Sequence, residues 1–191
     1  MSVPPATPAT PNAPPPPPTA TTASPTGPAA PAGPLPPALA AAVAADWPAL
    51  EQGHTRDGTP WLRVPAHDLA RLCGWLQQRG YGRFLDLSVV DEPARPDRFE
   101  VQVLLYAMAA RQWLRLKART AGEVPSITAV FAGADWYERE AFDLFGVRFP
   151  GHPDLRRLLL PDAFDGHPLR RDHPLGSEPV DFTVTRELYG T

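Results

Sequence analysis

The sequence has one cysteine, one lysine and no charged side chain in its first 45 residues. A single cysteine, Cys73, excludes an intrachain disulfide and an iron–sulfur cluster held by cysteines of this chain. Because Lys117 is the only lysine, almost all of the positive charge is arginine. The net charge of −3 argues against nucleic-acid binding. No apolar run reaches the length of about 18 residues that spans a bilayer, so we expect no direct membrane span.

Residues 1–37 consist mostly of proline, alanine, threonine and serine, with five consecutive prolines at Pro14–Pro18. Such a stretch favours polyproline II and offers little apolar surface to bury. It also lacks the basic start and the leucine-rich centre of a secretory signal. We therefore expect residues 1–37 to form a disordered tail on a soluble, intracellular protein.

Residues 38–149 show the periodicities of a folded core domain. Short helical and extended patterns are predicted at Leu39–Ala45 and Trp61–Val64, and a longer helix at His67–Arg79. The apolar stripe of the longer helix contains Leu69, Leu72, Cys73 and Leu76. We expect Cys73 to be a packed, unreactive thiol on that stripe.

Three alternating segments follow, at 84–90, 99–105 and 113–118, and each is typical of a strand with one buried face. Their connections are short enough for antiparallel neighbours. The sequence thus predicts an α+β fold in which a helix packs on a mainly antiparallel sheet. The residues predicted to face the core are Leu85, Leu87, Val89, Phe99, Val101, Val103, Leu105, Leu114, Leu116 and Ala118.

A further helix is predicted between Gly133 and Gly146. Asp135 and Glu138 have the spacing of a capping box, and Gly146 stands where a helix would end. The apolar face of this helix is predicted to contain Tyr137, Ala141, Leu144 and Phe145, with Trp136 at its margin.

Two residues of this helix break its amphipathic pattern. Glu140 falls within the apolar arc, and Phe142 falls on the polar side; such exceptions are common at functional positions. Two interpretations stay open for Glu140. It pairs either with an arginine of this chain, such as Arg156 or Arg157, or with an arginine of a partner protein.

The segment 151–175 contains Gly-His-Pro twice, each time followed by Leu-Arg-Arg or a close variant. A metal site would use His152, His167 and His173, but their separations match no compact ligand spacing, and histidines that bond backbone carbonyls are more common. Four arginines and four aspartates balance within the segment, which argues against phosphate binding. The chain also lacks the serine-elbow, phosphate-loop and dinucleotide motifs of common enzymes.

Prolines at 153, 161, 168 and 174 prevent this segment from forming one continuous helix or a central strand. We expect residues 150–191 to form an extended, irregular C-terminal arm with an apolar centre. An arm without regular structure must find its hydrogen-bond partners on its own domain or on another chain. The forked guanidinium groups of its arginines suit carboxylate pairing across such a contact.

The stretches ADWYEREAFDLFGVRF (134–149), GHPDLRRLLLPD (151–162) and GHPLRRD (166–172) resemble the conserved pattern of the 30-kDa subunit of respiratory complex I, which is the C subunit of bacterial NADH-quinone oxidoreductases. Weaker similarity covers LDLSVVD (85–91) and RFEV (98–101). Asp162–Asp165 and His173 depart from the family pattern.

The resemblance implies a non-catalytic subunit of the peripheral arm, on the cytoplasmic side of the cell membrane. It would bind no cofactor itself; NADH, FMN, iron–sulfur clusters and quinone would belong to partner subunits. Those partners would be the large quinone-site subunit of the 49-kDa type and other peripheral-arm subunits. Carried over from the family pattern, the interface residues would be Glu138, Arg139, Glu140, Asp143, Gly146, His152, Arg156, Arg157, Gly166, His167, Arg170 and Arg171.

Three alternatives stay open at this point. The chain is the equivalent subunit of a membrane-bound nickel–iron hydrogenase, a stand-alone metal-dependent enzyme that uses the histidines and nearby aspartates, or a free interaction module bearing a proline-rich ligand.

Overall fold

The structure, a computed structural model, describes residues 33–174. The predicted disorder of the tail, as far as it concerns residues 1–32, and the part of the predicted arm beyond residue 174 lie outside the described residues. Within the stretch predicted as tail, Leu35 is buried in the core, and the carbonyl of Pro34 accepts a hydrogen bond from Gln112 (3.0 Å).

Helices and strands follow one another from residue 37 to residue 145. In chain order they are α1 (Pro37–Asp46), β1 (Glu51–His54), β2 (Pro60–Pro65), α2 (Leu69–Gln77), β3 (Arg83–Asp91), β4 (Phe99–Ala107), β5 (Gln112–Thr120) and α3 (Ala134–Phe145). A single 3-10 turn, Ala66–Asp68, precedes α2. The predicted helix at 67–79 is therefore shorter than expected and begins two residues later.

The five strands form one sheet in the order β1-β2-β5-β4-β3. All neighbours are antiparallel except β2 and β5, which run parallel. The predicted α+β fold with a mainly antiparallel sheet is confirmed. Neither β1 nor the parallel pairing was predicted. Alternation of apolar and polar residues within a single segment does not indicate either of them.

One face of the sheet forms the core together with the helices. On β4 and β5, every second residue is buried, as the alternation predicted. The helices contribute the apolar residues Leu39, Val43, Leu69, Leu72, Cys73 and Leu76. Cys73 is fully buried, and burial raises the pKa of its thiol to about 12, so the prediction of an unreactive cysteine holds.

Strand β3 does not follow the predicted alternation. Its pairing with β4 shifts between Phe84 and Asp86, which leaves Leu85 outside the register. Such a bulge turns the residues before it to the other face. Phe84 therefore packs on the core, stacked on Phe131 with ring centroids 6.0 Å apart, and the prediction that Leu85 faces the core was wrong.

Among residues 33–174, no helix is long and apolar enough to cross a membrane.

Candidate functional site

The face of α3 that points into the protein combines buried polar side chains with the apolar residues Ala141, Tyr137 and Phe145 that the sequence predicted there. Glu138 and Asp143 are fully buried and Arg139 nearly so, whereas Trp136 and Glu140 are exposed. The prediction that Glu140 lies on the buried face was therefore wrong. Arg156 and Arg157, which one of the two open interpretations offered as partners of Glu140, pair with Asp154 and Asp143 instead. Glu140 has no ion pair within residues 33–174. The predicted capping box is absent as well, since the helix begins after Gly133 without a side-chain cap.

Asp143 is the centre of the contact between α3 and the segment that follows it. Its Oδ2 accepts hydrogen bonds from the backbone N–H groups of Leu158 (3.0 Å), Leu159 (2.8 Å) and Leu160 (2.9 Å). Its Oδ1 accepts one from Nη1 of Arg157 (2.8 Å). Burial disfavours the ionised carboxyl, but these donors outweigh it and lower the pKa of Asp143 to about 2. The irregular backbone at 158–160 thus obtains from one side chain the partners that a helix or strand would provide.

Arg157 and Arg139 extend this contact on both sides. Arg157 also donates to the carbonyls of Phe164 (2.9 Å) and Gly166 (3.3 Å). Arg139 donates to the carbonyls of Arg156 (3.3 Å) and Arg157 (3.2 Å). Both guanidinium groups therefore hold backbone in place. Arg156 is different, because it is exposed and pairs with Asp154 (2.8 Å).

His152 binds the first turn of α3. Its side chain is fully buried, and its Nδ1 accepts a hydrogen bond from the N–H of Asp154 (3.0 Å). A ring nitrogen that accepts carries no proton, so in this neutral form Nε2 is the donor. Nε2 lies 3.2 Å from the carbonyl oxygen of Asp135, which it therefore bonds.

His167 and Arg170 bind the last turn of α3. His167 Nδ1 lies 2.8 Å from the carbonyl oxygen of Asp143, and Arg170 Nε donates to the carbonyl of Phe145 (2.6 Å). The N–H of Leu169 donates to the carbonyl of Leu144 (3.1 Å). The last carbonyls of a helix have no partner within it, and a cation there also complements the helix dipole. The second Gly-His-Pro-Leu-Arg repeat is thus a cap for the C-terminus of α3.

The helix ends as the sequence predicted, at Gly146. Its φ of 73° is in the left-handed region that glycine adopts without strain. A side chain at this position would lie against Arg170 Nη2 and 2.5 Å from His167 Nε2. The second glycine of the site, Gly166, also has a positive φ of 93°, and a side chain there would meet the ring of His173 at 3.3 Å.

A network of charges joins the end of this segment to the sheet. Arg98 donates to Asp91 (2.5 Å from Nε to Oδ1) and to Asp172 (2.6 Å from Nη1 to Oδ2). Asp91 also accepts the N–H of Arg171 (2.8 Å). The hydrogen bond from Arg98 is the main cause of the low pKa of Asp91, and it lowers that of Asp172 to about 2. Asp91 and Arg98 were not predicted as site residues, although both lie in the stretches of weaker family similarity.

The histidines do not form a metal site. No group of three or more His, Cys, Asp or Glu within residues 33–174 is placed to hold an ion. His152 and His167 bond the carbonyls of Asp135 and Asp143, which are eight residues apart on α3 and hence separated by about 12 Å. The prediction that these histidines bond backbone carbonyls is confirmed for His152 and His167.

Glu138 has a separate role at the N-terminal half of α3. Its Oε1 accepts the N–H of Ile127 (2.7 Å), which fixes the loop between β5 and α3. Its Oε2 is buried without a partner among the described residues. Burial is the main cause of a raised pKa for this carboxyl, although the bond from Ile127 and the nearby His152 oppose it. The neighbouring groups also include Cys73, Ser126 and Asp135.

We expect Glu138→Gln to change the pH dependence of stability. Because the pKa of Glu138 is raised in the folded protein, its contribution is complete below about pH 4.5 and is lost as pH rises through the folded pKa. An amide oxygen can still accept the N–H of Ile127 and never ionises. At about pH 8, Glu138→Gln should therefore raise the free energy of unfolding, with little change at about pH 4.5, measured by urea unfolding.

Glu140→Gln is the control for that experiment, because Glu140 lies on the same helix and is exposed. It should leave the pH dependence unchanged. If Glu138→Gln instead destabilises the protein equally at both pH values, the ionised carboxylate is needed and the argument is wrong.

The site as a whole is a segment without helix or strand, residues 150–174, fixed on α3 and on the β3–β4 end of the sheet. We call it the docking arm. The structure brings most of the predicted residues together in contacts within the chain, as described above. Their contact with another subunit stays a prediction.

Comparison with known proteins shows the family to which the chain belongs. The family described as respiratory-chain NADH dehydrogenase, 30 Kd subunit, matches residues 62–179, more than half of the chain. The chain belongs to this family. The match includes β2 from its third residue, β3 to β5, α3 and the whole docking arm.

Curated relatives agree with membership of the 30-kDa family. The NADH-quinone oxidoreductase C subunit of Sinorhizobium medicae is 48% identical over 126 residues, which cover 63% of this chain and 62% of the relative. The corresponding C subunit of Rhodopseudomonas palustris is 42% identical over 144 residues, 72% of this chain and 70% of the relative. This chain thus spans less than two thirds of the Sinorhizobium protein.

Two solved structures show the same fold. A trypsin-resistant fragment of Nqo5 has a TM-score of 0.56 at 22% identity, covering 62% of this chain and 98% of the fragment. A chain of a membrane-bound sulfane sulfur reductase, an archaeal respiratory membrane complex, has a TM-score of 0.64 at 19% identity, covering 81% of this chain and 91% of that one.

Proposed function

We propose that this chain is a non-catalytic subunit of the peripheral arm of a proton-translocating NADH:quinone oxidoreductase. In this proposal it lies on the cytoplasmic side of the membrane and docks on the large quinone-site subunit. NADH, FMN, iron–sulfur clusters and quinone are bound by partner subunits. Its relatives, which are named as C subunits of NADH-quinone oxidoreductases, support this function.

The observation that carries the docking proposal is the exposed apolar surface at α3 and the docking arm. Trp136 is 62% exposed, Leu159 61% and Leu169 53%. All three residues are held by contacts within the chain. The guanidinium group of Arg139 lies over the Trp136 ring, 5.3 Å from its centroid. The backbone N–H groups of Leu159 and Leu169 donate hydrogen bonds to Asp143 and Leu144 of α3. Large apolar side chains held rigidly in solvent are typical of protein–protein contacts, in which tryptophan is enriched.

Glu140 adds a charge to the same surface. It is exposed, one turn along α3 from Trp136, and it has no ion pair within residues 33–174. The absence of an ion pair to Glu140 within residues 33–174 supports the second interpretation of the sequence, in which a partner's arginine pairs with Glu140. The predicted interface residues then divide into two groups. Glu140 would contact the partner, whereas Asp143, Arg157, His167 and Arg170 would hold the arm in the shape that the partner binds.

We expect Trp136→Ala to weaken assembly without unfolding the protein. An exposed side chain contributes little to stability, within about 0.5 kcal/mol, whereas a tryptophan at the centre of an interface contributes at least about 2 kcal/mol to binding. The measurement is co-isolation of the quinone-site subunit with the tagged chain from detergent-solubilised membranes. The yield should fall by about tenfold or more.

Met108→Ala is the matched control, because Met108 is 60% exposed but lies on the turn between β4 and β5, outside α3 and the docking arm. It should leave co-isolation unchanged. Equal yields for both variants would show that the Trp136 surface is not the docking surface.

A second candidate function is the equivalent subunit of another membrane-bound complex, such as a nickel–iron hydrogenase. The observation that favours this candidate is the similar fold of a chain from an archaeal sulfane sulfur reductase, a different respiratory membrane complex. The same co-isolation separates the two, since flavin- and NADH-binding subunits identify the first and hydrogenase subunits the second.

A further inference from the structure

The face of the sheet opposite the helices is open in the described part of the chain, and it concentrates positive charge. Register places on this face five cations and three carboxylates: Arg63, Arg83, Arg115, Lys117 and Arg119, and Glu51, Asp86 and Glu100. The excess of two positive charges contrasts with the net charge of −3 of the whole chain. We call this surface the open sheet face.

The charges of this face are ordered around Glu100. Its carboxylate lies near Arg63 (3.5 Å), Arg119 (3.2 Å) and Lys117 (3.8 Å). Burial disfavours the ionised form, but the bond from Gln102 and these cations hold the pKa of Glu100 below its usual range. Glu100 is thus a fixed negative charge beneath three cations, whose side chains are only 17% to 24% exposed and lie flat on the sheet.

On β5, Lys117 and Arg119 pair with Glu100, whereas Arg115 has no carboxylate partner among the described residues. Within residues 33–174 its Nη1 donates to the neutral oxygen of Gln102 (2.8 Å), and it has no ion pair. A guanidinium group has five donors and favours bidentate pairing with a carboxylate. Arg115 therefore has spare donors that a negatively charged group of another molecule would satisfy.

Aromatic residues neighbour Arg115 in the register of the open sheet face. Trp61 is its cross-strand neighbour on β2, and its ring covers Gly53, where an added Cβ would lie 2.5 Å from the ring. Two residues before Arg115 on β5, Trp113 packs against Tyr106 of β4 with ring centroids 5.1 Å apart. Tryptophan, tyrosine and arginine are the residues enriched at the centres of protein interfaces. Arg115 thus lies on a face that also contains Trp61, Tyr106 and Trp113.

We propose that the open sheet face is a second docking surface, which binds an acidic segment of a partner protein through a carboxylate paired with Arg115. The composition favours a protein over a phosphate polymer, since a nucleic acid requires cations that are not already neutralised, and Glu100 neutralises part of this set. It also disfavours a lipid surface, because the Trp61 ring is packed over Gly53 and is not free to insert between lipids. This surface is separate from α3 and the docking arm, so the proposal does not depend on the function proposed above.

The test measures binding of the full chain to a short labelled peptide of alternating glutamate and glycine, by fluorescence polarisation at low ionic strength. Wild type should bind, and Arg115→Gln should weaken binding by about tenfold, the loss expected for one charge-assisted pair. Arg115→Lys, which keeps the charge but not the fork, should give an intermediate affinity. Arg56→Gln, in the exposed turn between β1 and β2, should have no effect.

Vesicles of phosphatidylcholine with phosphatidylglycerol and a uridine oligonucleotide serve as competing probes. The proposal fails if the acidic peptide does not bind, or if Arg115→Gln, Arg115→Lys and wild type bind it equally. It also fails if vesicles or the oligonucleotide bind more tightly than the peptide and depend on Arg115. Circular dichroism of each variant shows that the fold is retained, and if Arg115→Gln is unfolded, Arg115→Lys decides.

Discussion

Asp143→Asn is expected to release the docking arm from α3. Three backbone N–H groups converge on Oδ2 and one guanidinium N–H points to Oδ1. An amide has one oxygen, so its NH₂ group must face either the three N–H groups or Arg157, donor against donor. Arg157, whose side chain is only 19% exposed, also loses its counter-charge. Breaking a buried pair in this way typically costs about 3 kcal/mol or more.

The effect of Asp143→Asn should be local before it is global. Amide hydrogen exchange at Leu158, Leu159 and Leu160 should accelerate by about a hundredfold, because these three amides lose their common acceptor. Exchange in β4 and β5, which form the centre of the sheet, should change much less. The matched control is Asp154→Asn, since Asp154 is exposed and its carboxylate pairs, within residues 33–174, only with the exposed Arg156.

The pH dependence of the wild type offers a second readout of the same contact. Because the pKa of Asp143 is lowered from 3.8 to about 2 in the folded protein, its contribution to stability is complete above about pH 4 and is lost as pH falls through 2. That contribution is about 2 kcal/mol. Asp143→Asn should flatten this part of the stability curve. An unchanged acid slope in the variant would contradict the role given to Asp143.

Gly146→Ala is expected to displace the second Gly-His-Pro repeat. Two effects lower the free energy of unfolding of this variant. Alanine is strained by about 1 kcal/mol at the left-handed φ of 73°, and its Cβ would be in too close contact with His167 and Arg170. Those two side chains cap the last carbonyls of α3. We expect a total loss of about 3 kcal/mol in the free energy of unfolding, with faster amide exchange at Leu169 and Arg170.

Gly151→Ala separates the two effects. Gly151 also has a positive φ, 90°, but nothing lies within 4 Å of an added Cβ. It should lose only the conformational part, about 1 kcal/mol, and leave exchange at Leu169 unchanged. If both variants lose the same stability, the close packing of His167 and Arg170 on Gly146 contributes nothing.

The sequence predicted the elements that depend on local periodicity. The core faces of β4 and β5, the buried stripe of α2 and the stop at Gly146 all follow from the spacing of residues within one element. The bulge at Leu85 could not be predicted in this way, because alternation continues through the sequence while the register of β3 against β4 shifts. The parallel pairing of β2 with β5 likewise depends on a strand distant in the sequence.

The buried face of α3 could not be predicted for a related reason. A hydrophobic arc places Glu140 inside and Glu138 outside, and the structure reverses them. Glu138 and Asp143 are buried because Ile127, Leu158, Leu159 and Leu160 bring N–H groups to them, and these come from irregular segments. A pattern within one helix contains no information on such donors. Family resemblance selected residues that the structure mostly brings together in contacts within the chain, and only geometry separates those that hold the arm from those left exposed.

The most direct test of the account is co-isolation of the quinone-site subunit with tagged wild type, Asp143→Asn and Asp154→Asn from detergent-solubilised membranes. If Asp143 and its hydrogen-bond partners act by fixing the docking arm, wild type and Asp154→Asn retain the partner. Asp143→Asn loses the partner, although the β-sheet core of this variant remains folded. Retention of the partner by Asp143→Asn at the wild-type level would show that an ordered arm is not what the partner binds.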